Sequence, residues 1–202
     1  KFLIARRLMY WQVYLHKTVV SAENMLIKAL QRAKLLIINN KNIFTTPLLE
    51  KFLKNNFTKE DFKKNSKLLN SFAELDDSDI ITCLKYWRYS EDFVLSNIST
   101  RILDRNLLKI KITKKQIISE EINNLIHNFC KKNNCSNEEA RFFIFSSTLS
   151  NNTYNITKSN INILMKNGDI IDITDASDQF SINDLNKTVK KYFLCYTNDS
   201  SL

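Results

Sequence analysis

The sequence predicts an α+β fold, a helical N-terminal segment followed by a ferredoxin-like or related β-α-β-β-α-β lobe. Two observations carry this. Apolar residues recur at three- and four-residue spacing through residues 1–105, then alternate in "LLKIKIT", "NINILMK" and "DIIDIT". The order of the later segments supplies the third: a helix follows the first strand, a hairpin signal sits in the middle, and a strand ends the series.

Taken in order, "KFLIARRLMYWQVYLHKTVVSAENMLIKALQRAKLLI" reads as one helix from its first residue, with no capping residue ahead of the periodic pattern. That predicts sequence upstream of Lys1. Thr46 caps a helix opened by Pro47, Asp76 or Asp77 precedes "SDIITCLKYW", and Ser90 caps "EDFVLSNISTRILDRN". "LLKIKIT" is then a strand and "KKQIISEEINNLIHNFCKKNN" a helix, after which Ser136 and Glu139 form a capping box for one short turn. "RFFIFSSTL" is a strand, "NINILMK" and "DIIDIT" flank Asn167-Gly168 as a tight hairpin with a primed turn, and "VKKYFLCY" is the last strand. A weak second helix is expected around "SINDLN". The expected division is residues 1–105, residues 106–198, and a frayed tail over residues 199–202.

Composition narrows the function. With 202 residues, 44% of them hydrophobic, the chain can bury one sizeable core or two small ones. No apolar run is long enough to span a membrane, and Arg6, Arg7, His16 and Lys17 interrupt the opening segment, so neither a span nor a signal peptide fits and a cytoplasmic location is expected. Cys83, Cys130, Cys135 and Cys195 lack a second pair at zinc-ligand spacing and read as reduced thiols. The net charge of +9 points toward nucleic acid, but the lysines are spread along the chain without a block, which is the pattern of a solvated basic surface. Nucleic acid is therefore not the favoured partner.

Catalytic motifs are scarce. There is no Gly-rich phosphate loop, no H-E-x-x-H and no nucleophile elbow, and the chain has only two histidines. His127 lies on a helix where a surface or half-buried position is expected, and the groups Asp76-Asp77-Asp79 and Asp172-Asp175-Asp178 sit where capping or a turn alone calls for aspartate. The opening helix is more informative. At about 100° per residue, Arg6, Tyr10, Tyr14 and Lys17 fall within about 80° of one another, a stripe with a cation at either end and phenols between. Such a stripe suits a nucleotide, with guanidinium for phosphate and rings for sugar or base. It equally suits a helix interface in which the tyrosines anchor a core and the arginine reaches its edge.

The segments "FLIARRLMYWQVYLHKTVVSAENML", "LDDSDI", "LDRNLLK", "NINILMKNGDIIDITDASDQ" and "VKKYFLCY" together resemble the C-terminal half of bacterial HD-domain phosphohydrolases related to deoxynucleotide triphosphohydrolases. The resemblance runs along nearly the entire chain. It implies that residues 1–105 are the remainder of an all-α HD domain, and that the complete protein hydrolyses a nucleotide, preferentially a dNTP, with a divalent metal such as Mn, Mg or Fe. It also implies assembly into a homo-oligomer.

That family holds its metal with a histidine, a His-Asp pair and a further aspartate. Here His16 is followed by Lys17 and His127 by Asn128, so neither makes the pair, and no catalytic or metal-binding residue is expected in this chain. The resemblance instead assigns a substrate wall: Arg6 to phosphate, Tyr14 beside the sugar, and Tyr10 in place of a histidine, with Leu15 where a sugar-reading glutamine stands. His16, Lys17, Arg105 and Lys109 match residues of a regulatory nucleotide site. The fragment alone is expected to be inactive. The competing reading is a noncatalytic nucleotide- or nucleic-acid-binding module.

Overall fold

A computed structural model describes residues 2–151, 161–172 and 189–197. Helix and sheet are mixed, with the helices concentrated in the first half, as an α+β fold requires. The opening segment is not one helix. Helix α1 (Phe2–Met9) runs into a π-turn (Tyr10–Tyr14), the chain breaks at Leu15, and His16 caps a separate α2 (Lys17–Ile38) by accepting the Thr18 N–H on Nδ1 at 3.3 Å. Neither a change of helical pitch nor a histidine cap has a strong sequence signature.

Five short helices follow: α3 (Pro47–Lys54), α4 (Lys59–Lys64), α5 (Ser66–Glu74), α6 (Asp77–Trp87) and α7 (Phe93–Leu103). Thr46 caps α3 ahead of Pro47, and Asp76 caps α6 in a box with Asp79. The cap of α7 is Asp92, whose carboxylate accepts the Leu95 N–H at 2.8 Å. Ser90, the expected cap, instead accepts the Asp92 N–H. The carboxylate wins because it is the residue immediately outside the first turn.

The α+β part begins with β1 (Lys109–Thr113), followed by α8 (Ser119–Asn133) and the single turn α9 (Asn137–Ala140), capped by the Ser136–Glu139 box. β2 (Phe145–Asn151) starts later than expected because residues 141–144 form a turn that buries Phe143 and Ile144. β3 (Asn162–Leu164), β4 (Ile170–Asp172) and β5 (Val189–Tyr196) complete the described strands. β5 lies between β1 and β2 and is antiparallel to both, with Ile110 opposite Cys195 and Phe145 opposite the same cysteine. β1 and β2 are thus parallel, joined through α8, with a strand inserted between them. This is a split β-α-β unit. The hairpin strands pair only with each other, so the described strands do not build the four-stranded ferredoxin-like sheet. The helix expected around "SINDLN" and the tail lie outside the described residues.

The hairpin turn also differs. Leu164 pairs with Ile170, the Met165 N–H donates to the Asp169 carbonyl, and the Gly168 N–H donates to the Met165 carbonyl. Asn167 is not among the residues with positive φ, whereas Gly168 has φ +91°. The connection is therefore a three-residue loop closed by a left-handed glycine, not a two-residue primed turn.

One hydrophobic cluster joins the helical and α+β parts. Val20, Met25, Ala29, Ala33 and Leu36 line the inner face of α2, and the two alanines let α7 approach with Val94, Leu95 and Ile98. The rings of Phe129 and Phe143 meet at a tilt of 31° with centres 5.0 Å apart in the same cluster, together with Phe193, Leu194 and Cys195 of β5. Three consecutive buried residues on β5 follow from its central position, where both faces are covered. Polar ties fix α2 against β1: the buried Ser21 hydroxyl donates to the Leu108 carbonyl at 2.8 Å, and the Leu108 N–H meets the Met25 sulfur at 3.3 Å.

Candidate functional site

Arg6, Tyr10 and Tyr14 stand together on the opening segment. The Arg6 guanidinium lies 5.8 Å from the centre of the Tyr10 ring, and the Tyr10 and Tyr14 rings are 5.1 Å apart at 45°. The π-turn holds this arrangement. Its Leu15 N–H donates to the Tyr10 carbonyl five residues back at 2.8 Å, which widens the turn without moving Tyr14 off the face of Tyr10. With Ala5 and Met9 these side chains line a cavity of about 440 Å³. Tyr14 is 52% exposed, so it does not anchor a core of this chain.

Lys17 does not continue the stripe. The break at Leu15–His16 turns it onto a second surface, a groove of about 460 Å³ lined by Lys17, Arg105 and Lys109 with Ser21, Asn106 and Tyr196 among its other walls. Three cations on one groove favour an anionic ligand. Arg105 has φ +56°, a left-handed conformation in which glycine is the usual residue. It follows the end of α7, where the Asn106 N–H reaches back to the Arg101 carbonyl at 2.9 Å. His16 is not among the groove residues, and its Nδ1 is engaged as the cap of α2.

The remaining sequence candidates are dispersed. His127 is exposed on α8, and Asp76 and Asp79 are occupied as a capping box. Asp175 and Asp178 lie outside the described residues. Among the described residues no group of three or more His, Cys, Asp and Glu could hold a metal ion, so no metal chemistry is built from them. No helix among them is long and apolar enough to cross a membrane. A further cavity of about 640 Å³, lined by Lys41, Phe44, Tyr86, Tyr89 and Glu91 among others, involves none of the sequence candidates.

Sequence reasoning missed several neighbours of these surfaces. Trp11, beside the tyrosines, carries the Lys191 ammonium 3.9 Å from its ring centre. Ser21, Asn106 and Tyr196 contribute to the basic groove. Only the aromatic-rich character of "MYWQVY" hinted at Trp11. A pairing with a lysine 180 residues away in sequence leaves no local signal.

No protein-family model matches the chain. Over 108 residues, 54% of the chain, it is 32% identical to YwfO, an uncharacterized protein of Bacillus subtilis, of which the match covers 23%. A crystal structure of a phosphohydrolase from Bacteroides thetaiotaomicron matches 98% of the chain with 41% sequence identity and a TM-score of 0.86. One structural neighbour is thus a phosphohydrolase. The chain spans 49% of that protein, about half its length.

Proposed function

We propose that the chain is the C-terminal part of a metal-dependent, HD-type phosphohydrolase that acts on a nucleotide, with a deoxynucleoside triphosphate as its substrate. The observation that carries the hydrolase reading is the 41% identity with a phosphohydrolase along 98% of the chain. The nucleotide reading rests on Arg6, Tyr10 and Tyr14, gathered around one cavity on an exposed face. Arg6 supplies a charge-assisted contact to phosphate, and the two phenols supply ring faces and hydroxyls to sugar and base. Among the described residues no group of three or more His, Cys, Asp and Glu could hold a metal ion, and the metal's ligands and the activation of water are proposed to lie in the remainder of the longer protein. What these residues contribute is binding and orientation.

A second ligand site for a regulatory nucleotide is proposed at the basic groove, through Lys17, Arg105 and Lys109, with His16 serving as the cap of α2 and not as a groove contact. Self-association is proposed as well, supported by the exposed Leu8, Met9 and Val13 on the opening segment.

The test is kinetic. In the full-length protein, Arg6→Ala removes a charge-assisted contact worth about 1.5–3 kcal/mol and lowers kcat/KM for a dNTP by about tenfold or more, with folding nearly intact. Tyr14→Phe keeps the ring and deletes only the hydroxyl, giving a smaller loss. Full activity in both variants makes the stripe structural and removes the nucleotide-wall reading.

A further inference from the structure

We propose that Lys191 is a positioning residue for the nucleotide wall, acting through Trp11 on the orientation of the π-turn. The inference rests on the reading of Arg6, Tyr10 and Tyr14 given above.

The opening segment is separated from α2 by the non-helical Leu15 and the extended His16, so the helix of α2 does not by itself fix its rotation. Leu15 packs against the core and holds one end. Beyond it, the Lys191 ammonium rests 3.9 Å from the centre of the Trp11 ring, a cation–π contact between the π-turn and β5. Lys191 has a rigid base. It sits on the central strand opposite Leu149 of β2, just beyond Tyr192, where pairing with β1 ends. Among the described residues no carboxylate pairs with it, so the indole is the partner of its charge. The π-turn places Trp11 next to Tyr10 in the chain but on a different side. One side is held by β5, and the other presents Tyr10 and Tyr14 to the cavity. A rotation that released Trp11 would carry both tyrosines with it.

Lys191 lines neither the cavity nor the groove, so it is expected to act on how well the wall is preformed and not on the reacting atoms. Trp11 provides an optical readout. The chain has two tryptophans, and Trp87 is buried with its indole N–H donating to the Phe44 carbonyl at 2.7 Å, so the acrylamide-quenchable emission of this chain reports on Trp11.

The experiment compares wild type, Lys191→Met, Lys191→Arg and Arg6→Ala in the full-length protein, reading acrylamide quenching without nucleotide and KM and kcat for each of the four dNTPs. Any tryptophan outside this chain is first replaced by phenylalanine. Lys191→Met is expected to increase the quenchable emission and to raise KM about fivefold with a smaller change in kcat. Lys191→Arg, which keeps a cation over the ring, restores both. An unchanged KM in Lys191→Met, or a failure of Lys191→Arg to restore it, overturns the positioning role while a lowered kcat/KM in Arg6→Ala leaves the wall standing. An unchanged kcat/KM in Arg6→Ala, or no turnover of any of the four, removes the wall and the inference with it.

Discussion

Asp92 performs two separable tasks, and substitution can weigh them independently. Its carboxylate takes a forked pair of bonds from Arg32, with Nε at 3.0 and 3.2 Å and Nη2 at 2.6 Å, and the same group caps α7 through the Leu95 N–H. The side chains are only 18% and 15% exposed, so screening by water is weaker than at the surface. Rupture of a fully buried pair costs about 3–5 kcal/mol, but this one is partly wet and Glu139 remains 3.7 Å from Arg32 as a second anion. Asp92→Asn, which keeps a capping oxygen, is therefore expected to cost about 2 kcal/mol, within the ~1.5–3 typical of hydrogen bonds to charged groups. Asp92→Ala also removes the cap and costs about 1 kcal/mol more. For a chain of this size the corresponding falls in melting temperature are about 4–8 °C and 6–12 °C. Urea unfolding with a check that the slope m is unchanged measures both. A cost below about 0.5 kcal/mol for Asp92→Asn would place the pair with ordinary surface ion pairs, and equal costs for the two variants would show that the cap contributes nothing.

Three further outcomes are expected. The isolated 202-residue chain releases neither phosphate nor triphosphate from any dNTP with Mn or Mg, whereas the full-length protein does; turnover by rigorously purified chain would contradict this. Arg105→Gly relieves the left-handed strain at φ +56° and raises stability by about 0.5–1 kcal/mol in chemical denaturation, while weakening anion binding at the groove by removing one of its three cations. In native protein, Cys83 and Cys195 resist a thiol reagent at neutral pH, because burial pushes the Cys195 thiol up to about 12 and raises that of Cys83; Cys130 and Cys135 are half-buried and react, with Cys135 slowed by a thiol that burial and the neighbouring Cys130 push up to about 11. Thiol titration before and after unfolding separates the two classes, and four fast thiols in the native chain would refute the assignment.

What was legible in the sequence depended on whether the signal was local. Thr46-Pro47, the Asp76-Asp77 start, of which Asp76 is the cap, and the Ser136–Glu139 box are readable because the capping oxygen and the N–H it satisfies are within three residues of each other. The alternation in "KIKIT" is readable because one face of β1 is buried and the other is not. The sheet order was not readable, since the choice that puts β5 between β1 and β2 is made by pairing between residues far apart in the chain, such as Phe145 with Cys195 and Ile110 with Cys195. The Asn167-Gly168 turn failed for a different reason. The dipeptide is compatible with a two-residue primed turn, in which asparagine and glycine both take the left-handed conformation, and with a three-residue loop in which glycine alone does, and here glycine alone does.

The site was half legible on the same grounds. Spacings of four residues bring Arg6, Tyr10 and Tyr14 together in an α-helix and nearly so in a π-turn, so the stripe survives the change in pitch. Lys17 does not, because an added residue in a π-turn followed by a chain break discards the accumulated helical phase. The break has a chemical consequence that a continuous helix would have hidden. It divides one run of cations and phenols into two surfaces. Arg6 with the tyrosines faces one cavity, and Lys17 joins Arg105 and Lys109, about ninety residues later in the chain, on another. Because His16 caps α2 at that junction, a ligand that pulls on Lys17 acts on the first turn of α2, within three residues of the end of the π-turn that carries Tyr14. Any coupling between the two surfaces has its shortest covalent route through Leu15 and His16.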